Sequence, residues 1–483
     1  MTRVLVVGGG VSGLAAAHRL RTLLGADTEI VVVETARALG GKLSALEIGG
    51  RRVDVGAEAF LARRPEVAAR VAELGLDDQL VHPGTATSAL HVGGRTVPLP
   101  PRTVMGVPGD PAVAGEALSP AGLAALRADA PGPWEPGGDV AVGALVRARL
   151  GDEVADRLVD PLLGGVYAGR ADGLGLRATV PALAAALDAD PRSLVDAARR
   201  CLPAPAAVTA GEVAPPLPLP VFGTLRGGLA DLPSTLALAA RAEIRLGRTV
   251  TALARTAAGW RADTDAGEAL EADAVVLAVP PPAVRRLLAD HAPLAARAAG
   301  EIELASSALV VLALPAAAAA PLHGRSGVLV GAGERRPDGL PWTIKAATFS
   351  AEKWPHLAPS DDPDDTAVLR LSVGRHGDAA SLAALRRDDP DLVSAARGDL
   401  AALTGVDAVP VETAVVRWPG GLPQYGVGHL DRVAAIEDGV AGLPGLAVAG
   451  AALHGVGVPA CLATADAAAQ RIAVHLASAA ATR

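Results

Sequence analysis

At 483 residues, half of them hydrophobic, the chain is long enough for two or three well-buried domains. A net charge of −8 with no basic segment standing out excludes nucleic acid as a partner. The two cysteines, Cys201 and Cys461, are too few for a disulfide framework and fit a reducing cytosol, and the ten histidines show no spacing that suits a metal site.

The opening run Val4–Val7 is four apolar residues, read as a buried strand, which passes through Gly8-x-Gly10-x-x-Gly13 directly into a helix. Glycine permits the tight turn, the approach of a pyrophosphate to the backbone, and close helix–strand packing. The helix start offers unpaired N–H groups and a partial positive charge to phosphates. Gly8, Gly9, Gly10, Val11, Ser12 and Gly13 are therefore candidate cofactor residues. A second strand ends at Glu34, where a carboxylate can grip an adenosine ribose hydroxyl pair. The fingerprint itself does not separate NAD from FAD. The continuation Gly40-Gly41-Lys42 resembles that of the glutathione-reductase-like flavoproteins, in which such glycines bring the chain to the diphosphate and a basic residue faces the cofactor; a plain turn with an exposed lysine is the other reading.

The next stretch, VDVGAEAF, places Asp54 and Glu58 around Gly56; a turn with solvated acids and a cofactor-facing loop are both open readings. Residues 65–81 are expected to be helical, with strands near 89–97. From 98 to 205 the chain is first rich in Pro and Gly, then carries helical runs at 140–163 and 181–201. A Pro-rich linker, expected to be extended, covers 203–220. The α/β pattern resumes at 221–280, with Gly227-Gly228 opening a helix at 230–241 and Val250 on a strand. Segments 305–314, 326–331, 343–349 and 366–374 alternate apolar and polar residues, as strands of an antiparallel sheet do. A buried strand at 446–450, a Gly-rich loop and a helix at about 460–478 follow.

In that last loop Gly455-x-Gly457 precedes a helix beginning near Pro459. This repeats the logic of a helix N-terminus aimed at an electron-rich group, the N1–O2 end of a flavin in a flavoenzyme; a plain tight turn is the rival reading. Cys461 has no second thiol or basic neighbour in sequence, so a packed cysteine is favoured over a covalent flavin link. Trp418 is a candidate flavin-side residue or a core residue. Of the basic residues Arg63, Arg64, Lys345, Lys353, Arg370 and Arg375, most are expected at the surface and one or two opposite a substrate carboxylate. No run approaches an uninterrupted membrane span; 309–322 is broken by Pro315 and Pro321. No secretory leader is expected at the start, and a peripheral membrane contact stays open.

With those residues in place, the chain resembles the bacterial porphyrinogen oxidases, a flavin amine oxidase group that includes protoporphyrinogen oxidase and the Gram-positive-type coproporphyrinogen III oxidase. Beyond the fingerprint, the resemblance is carried by PLPPRTVMGVP (98–108), PLLGGVYAGRADGLGLRATVP (161–181) and KAATFSAEKWPHLAP (345–359). LRLSVGR (369–375), WPGGLPQYGVGH (418–429) and HGVGVPAC (454–461) extend it almost end to end. It implies an α/β fold: a discontinuous FAD-binding, Rossmann-like domain (1–60, 221–280, 420–483), an interleaved α+β substrate domain (61–95, 206–220, 281–419) and a helical insertion (96–205). It implies non-covalent FAD held by the 8–13 loop, Glu34, Thr35, Lys42, Gly56, Ala57, Glu58, Ala59, Val250, Trp418, Val458, Pro459 and Ala460.

Two departures from the family pattern stand out. Ala57 and Ala59 replace the proline and serine of a GP-acid-S-F element, and Ala451 stands where many relatives carry an acid after the last strand. The resemblance further implies oxidation of a porphyrinogen to a porphyrin, coproporphyrinogen III ahead of protoporphyrinogen, with O2 as acceptor. Arg63, Arg64 and Lys345 are the candidate propionate anchors. It also implies cytoplasmic location and docking to another haem-pathway enzyme through the insertion. Another flavin oxidase, acting on amines or carotenoids, and a non-enzymatic escort protein are the competing classes.

Overall fold

The computed structural model describes residues 2–203 and 220–481, so most of the Pro-rich 203–220 stretch lies outside the described residues. One unit is a five-stranded sheet in the order Glu243–Leu246, Glu29–Glu34, Arg3–Val7, Ala274–Leu277, Leu446–Val448. Every neighbouring pair is parallel. Both faces of such a sheet are covered, which is why its strands are continuous apolar runs rather than alternating ones. Val4 and Val6 pack under the helices Val11–Leu24, Asp231–Ala240 and Val458–Ala481. Leu5 and Val7 face a three-stranded antiparallel ribbon (Val250–Arg255, Trp260–Thr264, Ala269–Ala272) and the helix His429–Ala441.

The helices Pro281–Leu288 and Pro293–Gly300 also bury Val284, Leu287, Leu288, Ala295 and Ala299 in that second core. They therefore side with the parallel sheet, although the sequence division placed 281–300 in the substrate domain. The apolar face of each helix decides this, and chain order does not.

The second unit is a seven-stranded mixed sheet in the order Glu412–Pro423, Leu304–Pro315, Thr366–Val373, Ile344–Phe349, Arg325–Val330, Thr87–Val92, Arg95–Pro98. Only Arg325–Val330 and Thr87–Val92 run parallel. Ala347, Phe349, Leu369 and Leu371 pack toward the helix Asp389–Thr404. The alternate residues Ala346, Thr348, Arg370 and Ser372 face the opposite way, because side chains in a strand alternate between faces.

A helical layer between Pro120 and Cys201 packs on the edge strands through Leu90, Val92 and Val97. The helix expected over 65–81 ends at Glu73, just before Gly75 (φ +67°). The chain then turns, and Leu80–Val81 pairs with Thr224–Leu225, whose strand also pairs with Phe60–Leu61. The amphipathic pattern up to Glu73 was read correctly; the left-handed glycine that stops it was not.

Candidate active site

The opening strand lies in the middle of the parallel sheet, so the loop at its C-terminal end faces the crevice where such folds bind ligands. The glycines there have separable jobs. A Cβ on Gly13 would stand 1.9 Å from the Gly8 carbonyl oxygen, so that glycine is required by packing. A Cβ on Gly10 would meet no protein atom within 4 Å; the space beside it is left for something else. Gly10 also caps the helix Val11–Leu24 without any side-chain bond, leaving its first N–H groups free for an anion.

Glu34 reaches back to this loop. Its carboxylate accepts the Gly9 N–H at 2.6 Å and the Ala36 N–H at 2.7 Å. Each oxygen keeps a second lone pair, so a ribose hydroxyl pair can still be accepted. Thr35 beside it is exposed. The Arg248 N–H bonds the Glu34 carbonyl at 3.0 Å, which brings Val250 to the same corner. Val250 is buried, and its carbonyl accepts Arg286 at 3.0 Å.

From the loop a continuous ribbon of backbone leads away. Gly40 N–H donates to Gly9 O at 2.9 Å, and Gly40 bridges Gly10. Two residues on, the Lys42 carbonyl accepts the Ala57 N–H at 3.0 Å, and a Cβ on Gly56 would lie 1.9 Å from that carbonyl. Lys42 is solvent-accessible, yet desolvation lowers its ammonium pKa, with Cys461 and Glu34 opposing. Accessibility combined with desolvation describes a side chain inside a cleft.

The chain's last helix closes the cleft from the other side. Burial pushes the Cys461 thiol up, with nearby Ser12 and Lys42 opposing. Val458, Pro459 and Ala460 are buried at the helix start, and Gly455 (φ +146°) leaves no room for a side chain beside Ala460. Sequence reasoning missed what holds this turn. The Tyr425 hydroxyl donates to Ala451 O at 2.6 Å and accepts Gly455 N–H at 2.9 Å. Its ring stacks on His429 at 3.8 Å, and His429 Nε2 bonds Leu453 O at 3.2 Å. Burial lowers the His429 pKa to about 4, so the ring is neutral at pH 7 and Nε2 donates. Ala451, the position lacking the family acid, thus contributes its carbonyl to this clamp.

Glu58, read as a cofactor contact, has its carboxylate taken by protein. Lys353 Nζ meets it at 2.6 Å and Arg370 pairs with the other oxygen. Burial alone would raise its pKa, but Arg370 and Lys353 bring it down to about 2. Ala57 and Ala59 flank it, half-buried. Asp54 accepts the N–H groups of Leu229 (2.8 Å) and Ala230 (3.1 Å) at the start of the helix Asp231–Ala240, and burial raises its pKa to about 6. It is a cap, which also accounts for Gly227-Gly228. Trp418 donates from Nε1 to Val55 O at 2.8 Å and packs against the core around Val53 and Val311.

The three candidate anchors are not alike. Arg63 is exposed, and Arg64 is paired with Glu66 through Nε at 3.0 Å. Lys345 is 6% exposed and, among the described residues, reaches only the Gly164 carbonyl, at 3.4 Å, at the start of GGVYAG. Burial and nearby Arg375 lower its pKa to about 7. Between these landmarks the seven-stranded sheet presents a strip of half-buried small residues, Ala346, Thr348 and Ser372, on the same face as Arg370. Leu329, paired with Ala346, touches the helical layer, where Gly165 and Val166 are exposed. The strip is thus an uncharged, small-residue stretch of sheet face between Arg370 and the helical layer, and is the candidate floor for a substrate.

A model of flavin-containing amine oxidoreductases matches residues 11–473. The chain belongs to that family. It is a flavin-dependent oxidoreductase, and FAD is its cofactor: the open space at Gly10, the free helix start and the Glu34 carboxylate fit a dinucleotide. The chain is 42% identical to the coproporphyrinogen III oxidase of Mycobacterium leprae over 98% of both chains. It is 44% identical to the enzyme of the same name from Mycobacterium tuberculosis (strain ATCC 25618 / H37Rv), over 95% of this chain and 94% of the other. A solved structure from Exiguobacterium sp. 255-15, provisionally named protoporphyrinogen oxidase, superposes with a TM-score of 0.82 at 30% identity, covering 98% of this chain and 99% of the other.

Proposed function

We propose that the protein oxidises coproporphyrinogen III to coproporphyrin III in haem biosynthesis, with O2 as the final electron acceptor and hydrogen peroxide as the reduced product. The observation that carries this reading is the end-to-end likeness to two mycobacterial enzymes of that name. FAD, when bound, supplies the two-electron acceptor for each of three successive oxidations. The protein holds the macrocycle and excludes water. Its floor of Ala346, Thr348 and Ser372 offers no general acid or base, which suits a substrate whose own pyrrole nitrogens stabilise the charge left by hydride loss.

Lys345, with Arg63 and Arg64, is the proposed partner for substrate propionates. Among the described residues this buried lysine has one weak carbonyl contact and no counter-ion, and a substrate carboxylate would supply one. Docking to a second haem-pathway enzyme, and any peripheral membrane contact, are assigned to the helical insertion, and the protein to the cytoplasm. Among the described residues no helix is long and apolar enough to cross a membrane.

The test is kcat/KM for coproporphyrinogen III against protoporphyrinogen IX, read by porphyrin fluorescence. A higher value for the four-propionate substrate is expected, and a clear preference for the two-propionate substrate would reject the assignment.

A further inference from the structure

The segment Val55–Glu58 ends the backbone ribbon that starts at Gly9, and its polar grips come from the far sheet. Trp418 Nε1 donates to Val55 O at 2.8 Å, and Arg370 Nη2 donates to Gly56 O at 2.6 Å. Arg370 Nη1 and Lys353 Nζ share the Glu58 carboxylate. On its other flank the segment is seated on Lys42, through the Ala57 N–H and the tight fit at Gly56. The Arg370 side chain is 7% exposed and that of Glu58 14%, so these bonds are made away from bulk water, where charge-assisted pairs are strong and geometry-demanding. Lys353 is further fixed over the Trp354 ring at 5.1 Å and the Phe222 ring at 5.5 Å.

We propose that Arg370, assisted by Lys353, is a positioning residue for FAD. It holds the Gly56–Ala59 backbone against Lys42 at the end of the ribbon that starts at Gly9, and it takes up the Glu58 carboxylate so that the backbone, not that side chain, meets the cofactor. A fork-shaped guanidinium suits the task because it spans a carboxylate and a carbonyl at once, which a lysine cannot do. Arg370 thereby couples the seven-stranded sheet, on whose same face the strip begins at its cross-strand partner Thr348, to the cofactor segment. The proposal depends on FAD filling the cradle and on nothing about the macrocycle.

The experiment compares R370K with wild type in FAD affinity of the apoprotein, FAD midpoint potential and apoprotein melting temperature. No porphyrinogen is present, so its outcome is separate from the substrate assignment. The loss of one charge-assisted bond predicts about tenfold weaker FAD binding and a displaced potential, with an apoprotein that still folds cooperatively and melts only slightly below wild type. K353R should keep wild-type affinity. Wild-type FAD affinity and potential in R370K would overturn the proposal, as would an apoprotein destabilised enough to account for the whole loss. Should R370K fail to fold, E58Q takes its place: weakened FAD binding supports the role, and unchanged binding rejects it.

Discussion

The glycines of the opening loop look equivalent in sequence and are not so in space. Gly13 is required by the fold, since a methyl group there collides with the Gly8 carbonyl; a Cβ on Gly10 would meet no protein atom within 4 Å, so the fold does not require it, and the requirement is proposed to be the cofactor's. G13A should therefore lower the melting temperature of the apoprotein, at an overpacking cost of about 1–3 kcal/mol. G10A should leave the apoprotein's melting unchanged and still prevent FAD retention, checked by the flavin-to-protein absorbance ratio. Lys345 gives a second residue-scale prediction. Its ammonium titrates near 7 in the fold and at the ordinary 10.5 when unfolded, so the unfolded chain binds more protons between those values. Stability from this group is complete above the unfolded pKa and is lost as pH falls through about 7. K345M should thus stabilise the protein by about 1–3 kcal/mol at pH 7, and the gain should shrink toward pH 10. The same variant should raise KM for coproporphyrinogen III, which is how a residue costly to the fold but useful to the site behaves.

At the scale of elements, the strand–loop–helix that closes the chain depends on a tyrosine far upstream. Y425F leaves the Ala451 carbonyl and the Gly455 N–H without their partner, a loss of about 1–3 kcal/mol in denaturant unfolding. With that turn proposed to face the flavin, the flavin absorbance spectrum of Y425F should shift as well; an unchanged spectrum would reduce Tyr425 to a packing residue. The sequence made the elements themselves legible where a single physical signal ruled. The buried runs at 4–7, 274–277 and 446–448 have the continuous apolar character of parallel strands, and 344–349 and 366–373 have the alternation of a one-sided sheet. The helix ending at Glu73 instead of Val81 shows where the signal failed: a left-handed Gly75 and a partner strand 140 or so residues away decide the boundary. The Tyr425 clamp and the Arg370–Glu58 pair were hidden for the same reason. Both join residues distant in the chain, and a lone tyrosine or arginine carries no mark of its partner.

For the molecule as a whole, the two chain termini are the informative pair. The shared core of the helices Val11–Leu24 and Val458–Ala481 brings the nucleotide loop and the last helix to one cleft. The seven-stranded sheet then meets that cleft through Trp418, Arg370 and Lys353 and extends the floor of Ala346, Thr348 and Ser372 toward the insertion. On the proposed reading, the parallel sheet serves the cofactor and the seven-stranded sheet serves the substrate, joined at the Val55–Ala59 segment. The most direct measurement is anaerobic mixing of the FAD-loaded protein with coproporphyrinogen III, following flavin absorbance and porphyrin fluorescence together. The account predicts that the flavin bleaches as coproporphyrin appears. A flavin that stays oxidised with coproporphyrinogen III, yet bleaches with protoporphyrinogen IX or an amine, would contradict it.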